Sequence, residues 1–261
     1  MSSKPAEVTK FHSRLLRSSL DIESSRAYWK HTMPQKTGSQ AKLAFEAYWF
    51  GSKSMARVQT LVRQFDWQFG AISQAMQVLN LWKEIDADTR RLICHWHLQF
   101  SDPLYRAFSG TFLPDRIESG RSEVTKDLVV RWIESLNPGQ WQTRTQMRIA
   151  NNLFHASKEA GLIRSSRDPR TAISCAVTDL GLTYMVYLLR EVQFEGTIMA
   201  NPYFRSVGLE NDSLESRLRS LGCIEFQKQG SLIEFGWKHE TFAAWGSSIR
   251  LSNADQIREA S

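Results

Sequence analysis

The chain has 261 residues, 42% of them hydrophobic, and a formal net charge of +6. This length can bury a sizeable core and indicates two or three modules, while three scattered cysteines are unlike a disulfide framework and favour a reducing compartment. The longest apolar run, at residues 184–189, is far shorter than the roughly 20 residues of a membrane helix, so we expect a cytoplasmic protein with no membrane segment.

Positive charge is concentrated in the first quarter of the chain. Residues 1–63 contain eleven Lys or Arg and four acidic residues, a net of +7, which leaves −1 for the remainder. Such local charge is typical of a module that contacts phosphates or an acidic partner. A solvated basic tail explains residues 4–17 equally well.

The pattern after residue 40 predicts a helix-turn-helix. A helix over residues 40–50 and a helix over residues 53–65 flank a turn at Gly51-Ser52. The first helix offers four side chains for packing: Leu43, Ala44, Ala47 and Tyr48. The second helix leaves three cations for solvent or phosphate, and we expect them to contact DNA: Lys53, Arg57 and Arg63.

Residues 67–122 predict further helices with an aromatic core. Stacking on bases requires exposed rings, whereas these rings alternate with aliphatic residues, so packing is favoured. His95 and His97 resemble a metal motif, but side chains two apart on a helix point about 200° apart and cannot bind one ion unaided. The aromatic residues are Trp67, Phe69, Trp82, Trp96, Phe100, Tyr105, Phe108 and Phe112.

A second helix-turn-helix is predicted in the middle of the chain. An apolar helix over residues 124–136 is followed by a turn at residues 137–139 and by a long helix that residues 140–143 would cap and that ends at Gly161. At about 100° per residue, this long helix divides into two arcs. The packing arc contains Met147, Ile149, Ala150, Leu153, Phe154, Ala156 and Ala160, and the polar arc contains Arg144, Thr145, Arg148, Asn151, Asn152, His155, Lys158 and Glu159.

The residues after this helix predict a wing. Short candidate strands at residues 162–164 and 170–173 flank a polar loop. Residues 140–175 contain six Lys or Arg and two acidic residues, a net of +4 on a surface that a duplex could contact. A solvated surface helix in an all-α protein is the alternative. We expect five residues of this unit to contact DNA: Arg144, Arg148, Asn151, Arg164 and Arg167.

The C-terminal part predicts a second winged module. A buried helix over residues 177–191 precedes a helix over residues 213–221, and residues 223–237 alternate about a turn at residues 228–230, which is typical of a hairpin. Acidic residues near the second helix make it a weaker candidate for reading DNA.

The motifs that would indicate an enzyme are missing from the sequence. It has no glycine-rich phosphate loop, no Gly-x-Ser-x-Gly motif and no acidic cluster with metal-binding spacing. We therefore expect no catalytic residues, no metal and no cofactor.

The order of elements resembles the BrxA family, small accessory proteins of BREX bacteriophage-defence systems. Four segments carry the likeness: residues 18–26, residues 51–57, residues 141–162 with Asn152-Leu153-Phe154 and Ala160-Gly161-Leu162, and residues 222–237. The resemblance implies a helical middle similar to the NusB fold, flanked by helix-turn-helix or winged modules. It also implies non-catalytic binding to double-stranded DNA and other BREX defence proteins as partners.

These observations together predict a mainly α protein with short β-hairpins. We expect a basic N-terminal helix-turn-helix module over residues 1–66, a NusB-like helical middle leading into a winged helix-turn-helix over residues 67–175, and C-terminal helices with a winged-helix-like hairpin over residues 176–261. The expected function is largely sequence-nonspecific DNA binding through phosphate contacts. The alternatives are a protein–protein scaffold of the defence complex and a winged-helix transcriptional regulator, and the sequence does not fix an oligomeric state.

Overall fold

The computed structural model describes residues 4–17, 19–32, 40–82, 84–230 and 232–249. Over these ranges the protein is mainly helical with two small antiparallel sheets, which confirms the predicted fold class. The elements are a 3-10 turn (Arg14–Arg17), α1 (Ile22–His31), α2 (Gln40–Glu46), α3 (Met55–Phe69), α4 (Ser73–Leu81), α5 (Ala87–Ser101), α6 (Pro103–Ala107), a π-helical turn (Phe108–Phe112), α7 (Leu113–Glu118), β1 (Glu123–Val124), α8 (Lys126–Leu136), α9 (Thr143–Glu159), β2 (Arg170–Thr171), α10 (Asp179–Glu191), α11 (Pro202–Arg205), α12 (Asn211–Ser220), β3 (Ile224–Gln229) and β4 (Leu232–Trp237).

α2 and α3 form the predicted N-terminal helix pair, with different lengths from those expected. α2 ends at Glu46, because the turn that follows places Tyr48 at φ +51, which an α-helix cannot accommodate. Leu43 and Tyr48 are 37% and 67% exposed, and Ala47 is exposed too, so the predicted packing of these three side chains is wrong. α3 is capped by the Ser54 hydroxyl and continues to Phe69, three residues beyond the predicted end of the N-terminal module.

α5 is the central helix of the molecule. The Asp86 carboxylate caps it by accepting a hydrogen bond from the Thr89 backbone N–H (2.8 Å). Its residues from 92 to 101 are all buried, because α1, α3, α6 and α10 pack around it. The predicted aromatic core is confirmed: six of its eight rings are buried, and Trp67 and Phe112 are half-buried against the same core.

β1, α8, α9 and β2 occupy the part of the chain for which a winged helix-turn-helix was predicted. β1 pairs antiparallel with β2, placing Glu123 opposite Thr171. The next residue, Ala172, bridges antiparallel to Ile163 at the end of the segment that leaves α9. Residues 163–172 therefore form the wing beside the second helix of the pair.

The C-terminal part also has two consecutive helices followed by a two-stranded sheet. α11 and α12 are followed by the β3–β4 hairpin, in which Phe226 lies opposite Phe235 with ring centroids 5.3 Å apart. Gly230 occupies the turn at φ +61, so the predicted hairpin is confirmed. Helical residues 242–249 then pack on α10, where Trp245 stacks on Tyr187 at 5.1 Å.

The N-terminal segment, residues 4–17 and 19–20, is bound to the body of the protein. Glu7 donates its backbone N–H to Gln193 O (2.9 Å), and Lys4 Nζ donates to Arg190 O (2.7 Å). A freely solvated tail over residues 4–8 is therefore excluded. Further along, three hydrogen bonds join this segment to α9 and the turn before it: from Gln140 Nε2 to Phe11 O (3.4 Å), from Asn152 Nδ2 to Leu15 O (2.8 Å) and from Leu20 N to Glu159 Oε2 (3.0 Å).

Buried side chains from all three predicted modules belong to one continuous hydrophobic core. Leu15 and Leu61 come from the first module, Trp96 and Leu153 from the second, and Tyr184 from the third, and each is fully buried. The winged unit is therefore held against the rest of the molecule rather than carried on a free linker.

Candidate nucleic-acid interface

Glu134 of α8 fixes the turn that leads into α9. One carboxylate oxygen accepts a hydrogen bond from the Gly139 backbone N–H (3.0 Å), and the other accepts one from the buried side-chain amide of Gln146. Gly139 adopts φ +75, a conformation that favours glycine. The predicted turn is thus confirmed, and a single carboxylate links α8 to both this turn and the first turn of α9.

The first turn of α9 lacks the side-chain cap that residues 140–143 were expected to provide. Gln142 is the N-cap residue, but its side chain makes no capping hydrogen bond. Its backbone carbonyl accepts from the N–H groups of Thr145 (2.8 Å) and Gln146 (3.0 Å). The positive end of the α9 dipole is therefore not neutralised by a capping side chain.

Apart from Thr143 at its start, the exposed side chains of α9 form one continuous stripe. They are spaced three or four residues apart, so they lie on one side of the helix. Met147 is 42% exposed and belongs to this stripe, so its predicted place in the packing arc is wrong. The exposed stripe consists of Arg144, Met147, Arg148, Asn151, His155 and Lys158.

Two residues of the predicted polar arc are used inside the protein. The side-chain amide of Asn152 binds the N-terminal segment, as does the carboxylate of Glu159, which lies 3.2 Å from His155 Nδ1. Burial raises the pKa of Glu159 above its ordinary value. These contacts separate Asn152 and Glu159 from the exposed stripe and leave Asn151 as its outward-facing amide.

The wing is held to α8 and α9 by its own side chains. Asp168 accepts a hydrogen bond from the Lys126 backbone N–H (3.2 Å) and also binds the Arg170 guanidinium. That guanidinium stacks 3.9 Å over the ring of Phe154 on α9. The two predicted contact residues of the wing, Arg164 and Arg167, are exposed.

A cleft of about 480 Å³ lies between the wing and the C-terminal half of α9. Ser165, Ser166 and Arg170 line it from the wing, opposite five residues of α9. The α9 residues that line it are Asn151, Phe154, His155, Lys158 and Glu159. The exposed stripe of α9 therefore continues directly into this cleft.

Apart from Arg170, which pairs with Asp168, the described cations of α9 and the wing are not neutralised by neighbouring carboxylates. Over the described ranges, none of the following side chains forms an ion pair: Arg144, Arg148, Lys158, Arg164 and Arg167. No carboxylate of the described residues therefore holds these side chains in place. Their charge is available to an external anion.

The three cations predicted at residues 53–63 are placed differently, and the first of them lies just before α3. Lys53, Arg57 and Arg63 are all exposed, but Arg57 pairs with Asp21 at 3.7 Å. Six residues of helix rotate Arg63 about 240° from Arg57, so these two side chains leave α3 in different directions. The structure thus joins Arg144, Arg148, Asn151, Arg164 and Arg167 in one unit. It does not place Arg57 and Arg63 on one face of α3, and Lys53 lies outside that helix.

The second winged arrangement has a different charge balance. Arg217 pairs with Asp179 at 2.7 Å, and Glu215 binds Lys228 and lies 3.9 Å from Arg219. The basic side chains of α12 and the hairpin are therefore engaged in ion pairs. This agrees with the expectation that the C-terminal module is the weaker candidate for DNA binding.

His95 and His97 are buried hydrogen-bonded residues of the core. His95 contacts the Tyr105 hydroxyl (2.9 Å) and Ser206 Oγ (2.8 Å), and His97 accepts from the Tyr184 hydroxyl (2.7 Å). Burial lowers the pKa of His95 to about 3 and that of His97 to about 4, so both rings are neutral at physiological pH.

The described residues do not bring three potential metal-ligating side chains of His, Cys, Asp or Glu together. The thiols carry raised pKa values because of burial, to about 12 at Cys94 and about 11 at Cys175. In the part of the chain that the structure describes, no helix combines the length and apolar character required to cross a membrane.

Sequence reasoning did not include Lys158, Arg170 or His155 among the contact residues. Lys158 and His155 do fall on the predicted polar arc, and that position was the available signal. Arg170 lies twelve residues after Lys158, across a turn, so no local periodicity indicates that both line the same cleft.

Comparison with known proteins gives a likeness of fold alone. No protein-family model matches the chain, and no curated protein matches it. The crystal structure of an uncharacterized protein from Magnetospirillum magneticum is similar, with a TM-score of 0.58 and 13% sequence identity. The match covers 76% of this chain and 97% of that one.

Proposed function

We propose that this protein binds double-stranded DNA through the winged unit formed by α8, α9 and the wing. The observation that carries the proposal is the exposed stripe of α9, in which Arg144, Arg148 and Lys158 are free of ion pairs, beside a wing with Arg164 and Arg167 in the same condition. A helix of this kind enters a major groove, and the adjacent wing contacts backbone or minor groove.

The N-terminal half of α9 supplies the deepest contacts in this arrangement. Arg144 and Arg148 lie one turn apart on the exposed stripe, where they reach phosphates or guanine edges. The absence of a side-chain cap at Gln142 leaves the positive helix end suited to a phosphate. Glu134 fixes the angle at which α9 leaves the turn.

Binding on this surface is proposed to depend little on base sequence. Asn151 is the only exposed amide of the stripe, it lies about two turns into α9, and Asn152 is used internally. Few side chains therefore remain for bidentate readout, whereas the wing cations suit phosphate contact. Lys53, Arg57 and Arg63 stay as predicted phosphate contacts outside the winged unit.

The resemblance to the BrxA family extends this proposal to a biological role. The protein would act without catalysis, in the cytoplasm, as an accessory DNA-binding component of a BREX-type defence system. Methylation, nucleotide hydrolysis or cleavage would belong to its partner proteins. The NusB-like character of the helical middle stays a prediction of that resemblance.

A scaffold that joins defence proteins is the second candidate. Its specific support is the exposed apolar surface around α2, where Leu43, Phe45 and Tyr48 are 37%, 40% and 67% exposed. A scaffold that touches DNA only incidentally would lose little affinity as salt increases. A protein that neutralises phosphates loses affinity steeply.

The double variant Arg144→Ala with Arg148→Ala tests the proposed function. We expect a roughly ten- to hundredfold loss of affinity for a short duplex in a fluorescence anisotropy titration, with an unchanged circular dichroism spectrum, because neither side chain packs in the core. Lys30→Ala with Lys238→Ala is the matched control, since it removes the same charge from exposed positions outside the winged unit.

Equal affinity of both double variants and the native protein would remove α9 from the site. Unlabelled duplexes of unrelated sequence should displace the probe almost equally well. Discrimination of about a thousandfold or more among them would instead support the transcriptional-regulator alternative.

A further inference from the structure

The cleft between α9 and the wing is a concave site with cations on both walls. Lys158 faces it from α9 without an ion pair, and Arg170 faces it from the wing. The hydroxyl of Ser165 is used within the wing, where it accepts from the Arg167 backbone N–H (3.1 Å), while Ser166 is exposed. Two cations and a hydroxyl therefore converge on one volume of about 480 Å³.

Arg170 is held in place more firmly than an ordinary surface arginine. Its guanidinium binds Asp168 and stacks on the ring of Phe154, which is 4% exposed. Asp168 is itself fixed by the Lys126 backbone N–H at the start of α8. A cation fixed in this way loses little side-chain entropy when an anion binds beside it.

The position of the cleft indicates which anion it meets. If α9 enters a major groove and the wing reaches the next minor groove, the backbone strand that separates those grooves passes between them. We propose that the cleft holds a phosphate group of this strand, with Lys158 and Arg170 as its cationic partners. This inference rests on the proposed function. The volume of the cleft is within the range, about 300–1,000 Å³, of sites that bind small molecules, so one nucleotide unit fits.

Glu159 is the carboxylate that opposes an anion in this cleft. Its Oε2 accepts the Leu20 backbone N–H at 3.0 Å and lies 3.2 Å from His155 Nδ1, so one carboxylate oxygen is already bound within the protein. The same geometry provides a variant that should improve binding. Glu159→Gln removes the negative charge and keeps an oxygen that accepts from Leu20.

The test compares three single variants in duplex titrations over a range of salt concentrations. Lys158→Gln should weaken binding several-fold and reduce the slope of log affinity against log salt by about 0.9, the value for one phosphate contact. Lys238→Gln, which removes an exposed cation after β4, should leave both quantities unchanged. Glu159→Gln should strengthen binding, a result that misfolding cannot produce.

A native slope for Lys158→Gln together with unchanged affinity for Glu159→Gln would overturn the cleft proposal. If Arg144→Ala with Arg148→Ala still abolished binding in that case, the proposed function would stand without it. Equilibrium dialysis with adenosine monophosphate and with inorganic phosphate separates a backbone phosphate from a free one. Weak nucleotide binding that a duplex displaces supports the backbone source, whereas tight nucleotide binding that a duplex leaves unaffected contradicts it.

Discussion

His95 and His97 have fixed hydrogen-bond partners inside the helical body. His95 and His97 show what this does to a titratable group: both rings are buried on α5, and their neutral forms are hydrogen-bonded. Protonation of either ring would place a charge where no carboxylate is hydrogen-bonded to it. The two histidines therefore make the fold, rather than a catalytic site, sensitive to acid.

The pH dependence of stability follows from these lowered pKa values. The unfolded histidines take up protons below about pH 6.5, whereas the folded rings resist protonation until about 4 for His97 and about 3 for His95. Their contribution to stability is thus complete above about pH 6.5 and is lost as the pH falls toward those values.

His95→Gln should therefore reduce the change in urea midpoint between about pH 7 and pH 4.5, since glutamine keeps a hydrogen-bonding group but does not titrate. Carboxylates contribute equally to the pH dependence of stability in both proteins. The difference between the two proteins therefore reports the protonation of the His95 ring. An identical pH dependence in the variant and the native protein would show that His95 protonates freely in the folded state.

Local sequence signals predicted the two helices and the turn of the winged unit. They did not predict β1, which lies where the first of these helices was expected to begin, and they did not predict all of the exposed surfaces. Turn residues and helical periodicity have short-range causes, and they correctly placed the turn at Gly139 and the wing after α9. Asn152 and Glu159 bind residues 137 and 139 positions earlier in the chain, which leaves no local pattern. Met147 is exposed because that side of α9 faces no other element, which hydrophobicity alone cannot indicate.

The Glu134 clamp is the element-scale feature on which the winged unit depends. Glu134→Ala removes the acceptor of the Gly139 N–H and leaves the buried amide of Gln146 without that partner. We expect a loss of about 1–2 kcal/mol in the free energy of unfolding, because hydrogen bonds to a charged group are involved and one of them is exposed.

Urea denaturation measures this loss, and duplex affinity should decrease with it, since α9 is no longer fixed relative to α8. Glu134→Gln is the conservative control. It keeps one carbonyl acceptor and should cost about half as much. Native stability in Glu134→Ala would mean that packing of α8 on α9 alone sets the turn.

At the scale of the whole molecule, the N-terminal segment binds residues that are distant in sequence. Glu7 is 8% exposed and lies 3.5 Å from Arg106, and it also accepts hydrogen bonds from the Tyr203 hydroxyl and the Glu195 backbone N–H. A net of +7 in residues 1–63 suggested a module directed at phosphates. The charge of this segment does not indicate that residues 4–8 lie against the C-terminal part, because that contact is made with residues nearly 200 positions away.

Glu7→Ala should destabilise the fold by about 3 kcal/mol, because it leaves the nearly buried Arg106 guanidinium without its carboxylate. A lower urea midpoint and faster proteolysis of the first residues are the expected measurements. Glu7→Gln retains hydrogen-bonding capacity, so its urea midpoint should lie between those of Glu7→Ala and the native protein. If Glu7→Ala retained the native midpoint, the segment would be attached by its backbone contacts alone.

The attachment of the N-terminal segment also sets an order of events during protein synthesis. Its partners Arg190 and Tyr203 leave the ribosome 186 and 196 residues after Lys4 and Glu7. At about 5–20 residues per second, roughly 10–40 s separate the first residues from these partners. Leu15 and Leu20 are fully buried in the folded protein. Their partners on α9 are synthesised only after most of that interval. The N-terminal segment can therefore bind the C-terminal part only after the elements of the winged unit, which end at Thr171, have been synthesised.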